Sequence, residues 1–266
     1  MIVGLAYVVN NDGVIMRVTG TSPVYIRFVW EYKSGIVWNL IFVYSVSIIL
    51  LWKFEVGGGT IMNIILFTEN IDEYLKEDNV INYGNENIMQ LADTLYQGAS
   101  NEVEYIKKAY EYVRDSISHS ADINEDILTC SASEVLEARH GICFAKSHLL
   151  AALLRYKSIP TGFCYQKLIL DDETATVLIY HGFNGVYVNE YKKWIRLDAR
   201  GNKEGVNAQF SLEKEQLAFP IRTEKGEEDG FVIYPNPDVK VLEKFNSYKT
   251  RTELWDDLPI ELGYNS

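Results

Sequence analysis

The segment RHGICFAKSHLLAALLRYKSIP, residues 139–160, constrains the fold more than any other part of the chain. Residues 149–154 are apolar on every side of a helix, a pattern typical of a helix at the centre of a domain. Pro160 ends the helix, because the residue before a proline is driven out of the helical region. We therefore expect one central buried helix with the rest of the domain folded around it.

Helical spacing precedes this segment, and alternation of polar and apolar residues follows it. The spacing predicts helices at 86–97, 101–117 and 131–141, after a short strand-like run at 62–67. The alternation predicts strands at 161–170, 174–181, 185–189 and 194–198. Helices followed by an antiparallel sheet indicate an α+β fold, with the central buried helix packed on that sheet.

Charge and cysteine content exclude several classes of function. The 266 residues include 25 Lys and Arg against 37 Asp and Glu, a net charge of −12, so the surface repels phosphate and nucleic acid is not expected as a partner. Three cysteines without CxxC spacing predict neither a disulfide framework nor a zinc site, and they favour a reducing, cytoplasmic location. Four histidines without HExxH spacing predict no metal centre.

The first 61 residues differ from the rest, with only seven charged side chains. Residues 36–52 form an uncharged run of 17, at the lower limit of about 17–25 residues for a membrane span. Three glycines at 57–59 could be encoded by purine-rich codons that resemble a ribosome-binding site before Met62. Three interpretations stay open: translated upstream sequence with a natural start at Met62, a single membrane anchor, or a folded N-terminal element. The domain proper is expected at 62–266.

Cys143 lies where the central helix begins, at its first or second position. The first N–H groups of a helix lack partners and the macrodipole is positive there, so a thiolate is stabilised and its pKa should fall. The N–H of Cys143 could also donate to an oxyanion, and Gly141 removes bulk where a substrate carbonyl would approach. Cys130, before a predicted helix, and Cys164, in a predicted strand, lack this stabilisation of a thiolate. A buried structural cysteine is the alternative.

A nucleophilic thiol needs a base, and His181 is the best candidate. It ends a predicted strand whose face also carries Val177 and Ile179, which suits an imidazole leaning over the central helix, although a lone strand histidine is more often structural. His148 is about 140° around the helix from the cysteine and points away. His140 has no fixed orientation.

Asp198 ends the strand WIRLD and can accept from the imidazole. A simple hairpin that pairs Val188 with Trp194 would set Asp198 opposite Asn184, roughly 10 Å along the strand from His181. We therefore expect a bulge or a sharp turn in HGFNG, residues 181–185, to close that gap.

Together, GICFAKSHLLAALLRYKSIPTGFCY and YHGFNGVYVNEYKKWIRLDAR resemble the transglutaminase-like superfamily over about residues 130–200. The resemblance implies a papain-like core in which Cys143 is the nucleophile, His181 the general base and acid, and Asp198 its orienting carboxylate. The chain departs from the family pattern at Ser158, usually glycine, and at Phe183, usually tryptophan, and it lacks an acidic residue at 185.

The resemblance implies thiol-dependent acyl transfer or hydrolysis at amide bonds of a peptide or of glutamine side chains, in a bacterial, cytoplasmic enzyme. Hydrolysis is favoured slightly, because water needs no dedicated second site. A catalytically silent protein-binding module and a membrane-anchored version of the enzyme are the alternatives. No cofactor is implied: larger animal relatives use calcium, but the sequence has no DxDxDG loop.

Overall fold

The computed structural model describes residues 64–171 and 175–265, together with six strands in the first 63 residues. The chain divides into two compact units, Met1–Ile61 and Met62–Ser266. In the first unit, four strands form an antiparallel sheet in chain order and two shorter strands form a separate pair. They are β1 (Gly4–Val9), β2 (Ile15–Thr21), β3 (Tyr25–Glu31), β4 (Val37–Phe42), β5 (Glu55–Val56) and β6 (Gly59–Thr60).

The uncharged run at 36–52 is described only in part. Its residues 37–42 are strand β4, which pairs with β3, whereas Ile36 and residues 43–52 lie outside the described residues. Along the described parts of the chain, no helix is both long enough and apolar enough to cross a bilayer. The three interpretations of residues 1–61 stay predictions.

The described residues of the second unit contain six α-helices, eight strands and three short 3-10 helices. The α-helices are α1 (Glu86–Gln97), α2 (Glu102–Ser116), α3 (Ala132–Ala138), α4 (Cys143–Tyr156), α5 (Val239–Ser247) and α6 (Arg251–Trp255). The strands are β7 (Ile65–Leu66), β8 (Ser118–His119), β9 (His140–Gly141), β10 (Thr161–Asp171), β11 (Ala175–Val188), β12 (Lys193–Leu197), β13 (Glu228–Asp229) and β14 (Val232–Ile233).

The predicted α+β fold is confirmed. Strands β12, β11, β10 and β13 form an antiparallel sheet in that order. Helix α4 contacts β10 and β11 and also the three preceding helices. Every residue from 144 to 155 is buried, so α4 is the central helix that its apolar pattern predicts.

Five of the six α-helices begin at a side chain that accepts a hydrogen bond from their first turn. The exception is α4, where Ile142 occupies the N-cap and no side-chain cap hydrogen bond is made. The other caps are Asn85, Asn101, Ser131, Asp238 and Thr250. The first N–H groups of α4 are therefore left without the side-chain acceptor that the other helices have.

Helix α3 ends earlier than predicted. Arg139 adopts a left-handed conformation with φ of 64° and closes the helix after Ala138, so Gly141 is not its terminator. Gly141 instead belongs to β9, which pairs in parallel with β8.

The two predicted strands at 174–181 and 185–189 form one strand, β11, with no turn in HGFNG. The hairpin register also differs by one residue from the simple expectation, because Val188 pairs with Lys193 and Asn184 with Leu197. Continuing this register by one residue sets Asp198 opposite Phe183. Side chains alternate between the faces of a sheet, so the shift places Asp198 on the face of His181 rather than the opposite one.

Candidate active site

Cys143 is the first residue of α4 and is partly exposed. A Cβ built on the nearby Gly141 would lie 3.2 Å from both Ala145 Cβ and Thr129 Oγ1. The space beside this glycine is therefore filled by protein atoms, and the glycine serves close packing under the start of the helix. The predicted opening for a substrate carbonyl does not lie on that side of the chain.

His181 lies between Cys143 and Asp198. Its imidazole lies close enough to the thiol of Cys143 for each group to shift the pKa of the other, and its Nε2 lies 2.8 Å from Oδ2 of Asp198. The structure thus brings the three predicted site residues together. Diagonal positions on neighbouring strands are about 7–8 Å apart, a gap that an imidazole and a carboxylate together can cross. No bulge is needed, so the expected distortion of HGFNG is wrong.

Asp198 is 1% exposed and its carboxylate accepts two backbone hydrogen bonds besides that of His181. Arg200 N–H donates to Oδ1 at 3.0 Å and Ala218 N–H donates to Oδ2 at 3.0 Å. Burial alone would raise the pKa of Asp198, but the imidazole and these two N–H groups outweigh it and hold the pKa below its usual value. The carboxylate is therefore ionised and fixed in place.

Cys143 and His181 stabilise each other's charged forms. Burial opposes both charges, but the imidazole and the N–H of Gly182 outweigh it and lower the pKa of Cys143. Burial likewise would lower the pKa of His181, and Asp198 with the Cys143 thiolate raises it above its usual value. A thiolate–imidazolium pair is the result near neutral pH.

Cys143 and His181 line a cavity of about 980 Å³. One part of its wall is apolar and includes Leu168, Ile169, Ile179, Phe219, Trp255 and Leu258. Another part is charged: Arg200 and Lys203 both pair with Asp122, the latter at 2.8 Å. A pocket of this volume is large enough for a drug-sized ligand or several residues of a peptide.

A family model described as the transglutaminase-like superfamily matches residues 89–199, which include Cys143, His181 and Asp198. Residues 89–199, less than half of the chain, are therefore similar to this superfamily. The matched segment runs from α1 to the residue after Asp198, so it contains the central helix and both long strands of the sheet.

Solved structures give weaker matches to the chain. A candidate cysteine protease from Cytophaga hutchinsonii is 18% identical, with a TM-score of 0.40 over 50% of this chain and 43% of its own. A protein described as a TGase is 21% identical, with a TM-score of 0.36 over 48% and 34% of the two chains. A candidate protease from Parabacteroides distasonis is 14% identical, with a TM-score of 0.32 over 75% and 41%. The chain thus spans between 34% and 43% of these proteins. No curated protein sequence matches it.

The other two cysteines do not line the cavity. Burial is the main cause that raises the pKa of both Cys130 and Cys164 to about 12. His148 is bound to the carbonyl of Cys130 at 2.8 Å and His140 to the hydroxyl of Ser120 at 3.0 Å, so neither faces the thiol. Among the described residues, no group of three or more His, Cys, Asp or Glu side chains is arranged to hold a metal ion.

Sequence reasoning missed three groups that adjoin the site. Phe219 packs edge-on against the imidazole of His181, with ring centroids 5.1 Å apart. Ala218, beside it, donates to Asp198 from a loop that no pattern connects to the triad. His119 also lines the cavity. By contrast, Arg200, which also binds Asp198, follows it by only two residues in the sequence.

Proposed function

We propose that the protein is a thiol-dependent enzyme that cleaves or transfers acyl groups at amide bonds of a protein or peptide substrate. Cys143 is the nucleophile, His181 the general acid and base, and Asp198 the carboxylate that orients the imidazole. The observation that carries the proposal is that His181 lies between Cys143 and the buried carboxylate of Asp198, with Cys143 and His181 both lining a large cavity.

The chemistry follows from the charges of the pair. The thiolate of Cys143 attacks the amide carbonyl carbon, an S–C bond forms, and the carbonyl π electrons move onto oxygen. When this oxyanion collapses, the C–N bond breaks and the leaving nitrogen takes the proton of the His181 imidazolium. Neutral His181 then accepts a proton from water as its oxygen attacks the thioester. The acid leaves and the thiolate and imidazolium are restored.

Hydrolysis is the favoured outcome over transfer to a second amine. A transferase must hold the acyl acceptor as well as the acyl donor, whereas water needs no binding site of its own. The apolar wall formed by residues such as Ile179 and Trp255 favours a substrate with a bulky apolar side chain beside the reacting bond.

The test is incubation of the protein with a glutamine-containing peptide and a labelled primary amine. Chain cleavage indicates a protease, ammonia alone a deamidase, and ammonia with incorporation of the amine a transferase. Cys143→Ala should abolish whichever product forms. Unchanged product formation by that variant would remove the proposed mechanism, and a reactive Cys143 without any turnover would favour the binding-module alternative.

A further inference from the structure

His119 is a buried histidine on the cavity wall that the mechanism above does not use. It is 6% exposed and lines the same cavity as Cys143 and His181. Its Nδ1 is fully enclosed and has no hydrogen-bond partner among the described residues. The ring therefore meets the cavity through its other edge, which carries Nε2.

The backbone holds His119 beside the start of α4. In the parallel pair of β8 and β9, His119 lies opposite Gly141, two residues before the nucleophile. The residue after His119 is also held, because Ser120 N–H donates to the carbonyl of Gly141 at 3.2 Å. Nζ of Lys146, on α4 itself, donates to the carbonyl of Ile117 at 2.5 Å. The position of His119 is thus tied directly to the helix that carries Cys143.

The side chain of each of the other three histidines has a hydrogen-bond partner, as that of a structural histidine usually does, whereas Nδ1 of His119 has none among the described residues. His140 bonds to Ser120 Oγ, His148 to the carbonyl of Cys130, and His181 to Asp198. Buried polar groups in proteins are nearly always paired. An enclosed N–H without an acceptor costs more than an enclosed lone pair, so the proton belongs on Nε2, where it faces the cavity.

The charges around His119 keep its ring neutral and favour an anion nearby. Burial is the main cause that holds the pKa of His119 well below its usual value, and the cations of Arg200, Lys146 and His181 lower it further. Asp122 opposes them but is itself paired with Arg200 and Lys203. A neutral imidazole in this setting can donate a hydrogen bond without competing for the proton of Cys143.

We propose that His119 is a further catalytic residue, whose Nε2–H donates to the carbonyl oxygen of the amide attacked by Cys143. This inference rests on the proposed function. As the S–C bond forms, the carbonyl π electrons become a lone pair on oxygen, and the developing charge is held by His119 together with the N–H of Cys143. No proton is transferred to the oxyanion, and the electron pair returns to the carbonyl when the C–N bond breaks.

The test compares two reactions of Cys143, only one of which forms an oxyanion. Acylation by p-nitrophenyl acetate passes through a tetrahedral oxyanion, whereas alkylation by iodoacetamide is a displacement at a saturated carbon. His119→Ala should slow release of p-nitrophenol by about 100-fold and leave the alkylation rate within about twofold. His119→Gln, which places an amide N–H near the position of Nε2, should recover part of the loss. His148→Gln, a buried histidine outside the cavity, is the matched control and should change neither rate.

Two results would overturn the inference. If acylation and alkylation slow equally in His119→Ala, the residue maintains the reactivity of the thiol or the fold rather than binding the oxyanion. If neither rate changes, the ring does not contact the reacting oxygen. A wild-type protein in which Cys143 resists iodoacetamide would instead contradict the proposed function, so the two failures are distinguishable.

Discussion

One oxygen atom, Oδ2 of Asp198, accepts a hydrogen bond both from Nε2 of His181, at 2.8 Å, and from the N–H of Ala218, at 3.0 Å. The carboxylate therefore links the imidazole to the loop after β12. That loop also presents Phe219 to the edge of the same ring. Movement of the loop and orientation of the imidazole should be coupled through Asp198.

Asp198→Asn should shift the alkaline limb of the pH–rate profile to lower pH. Burial disfavours the imidazolium, and Asp198 is the main group that raises the pKa of His181 against it. Without the carboxylate the imidazolium loses its proton at lower pH, and turnover should fall by about 100-fold or more. The profile is measured with p-nitrophenyl acetate between pH 5 and pH 10, with the exposed Asp257→Asn as the control. An alkaline limb at the wild-type pH would show that Asp198 does not govern the imidazole.

Cys143 should react with iodoacetamide at pH 6 at least about tenfold faster than Cys130 or Cys164. The pKa of Cys143 is lowered by His181 and the N–H of Gly182 despite burial, whereas burial raises the pKa of the other two to about 12. Peptide mass spectrometry after timed quenching gives the three rates. His181→Ala should remove most of the preference, and equal rates in the wild-type protein would sink the nucleophile assignment.

Gly182→Ala should impair the site and the fold together. A Cβ at position 182 would lie 2.4 Å from Cδ1 of Phe144, so the ring or the strand must move. Overpacking of this kind costs about 1–3 kcal/mol of unfolding free energy. Displacement of the Gly182 N–H should also raise the pKa of Cys143 and slow its alkylation. Urea denaturation and alkylation measure the two effects.

Gly98→Ala is the control for that substitution, because the nearest atom to its Cβ is the flexible end of Lys108 at 3.4 Å. Its alkylation rate should equal that of the wild-type protein. A Gly182→Ala variant that matches the control in both measurements would contradict the packing argument.

Arg196→Met should destabilise the sheet and the loop after it. Arg196 is buried between Glu215, at 2.6 Å, and Asp229 on β13, at 2.8 Å. Removing the guanidinium leaves two carboxylates without their partner, which should cost about 3 kcal/mol of unfolding free energy. Chemical denaturation measures the loss, and Lys192→Met on the hairpin turn is the control. A cost below about 1 kcal/mol would place the pair among weak surface interactions.

Stability should fall as the pH drops from 7 to 5. Burial lowers the pKa of His148 to about 4, against 6.5 for a free histidine, so the unfolded chain binds more protons than the native protein in this range. The stabilisation is complete above about pH 6.5 and is lost towards pH 4, with about 2 kcal/mol gone at pH 5. His148→Gln, measured by urea denaturation at both pH values, should lose less than the wild-type protein. An equal loss in both would assign the pH dependence to other groups.

The central helix and its nucleophile were accessible to sequence reasoning because apolar residues surround α4 and Cys143 marks its start. The register of the hairpin was not. The left-handed position before β12, with φ of 49°, is occupied by Lys192 rather than by the glycine or asparagine that usually marks such a turn position, so the sequence does not indicate where β12 begins. One residue of register decides whether Asp198 faces His181.

The position of His119 was equally inaccessible. It lies 24 residues before Cys143, and a parallel pair of only two residues brings it there. Such a short pair has no periodicity, and its partner β9 was predicted as the end of a helix. Ala218 is similar, since a backbone N–H leaves no trace in a sequence.

The N-terminus of α4 has a consequence for engineering. A serine, threonine or aspartate at 142 could cap the helix, which is worth about 1 kcal/mol, but it would also remove the buried side chain of Ile142 from the core, which costs about 2–5 kcal/mol. The same side chain would occupy the N–H groups that face the reacting thiol, and an aspartate would also oppose the thiolate. Neither a search for thermostable variants nor selection for turnover should therefore favour polar residues at 142. Ile142 thus contributes to the core and at the same time leaves the first N–H groups of α4 without a side-chain acceptor.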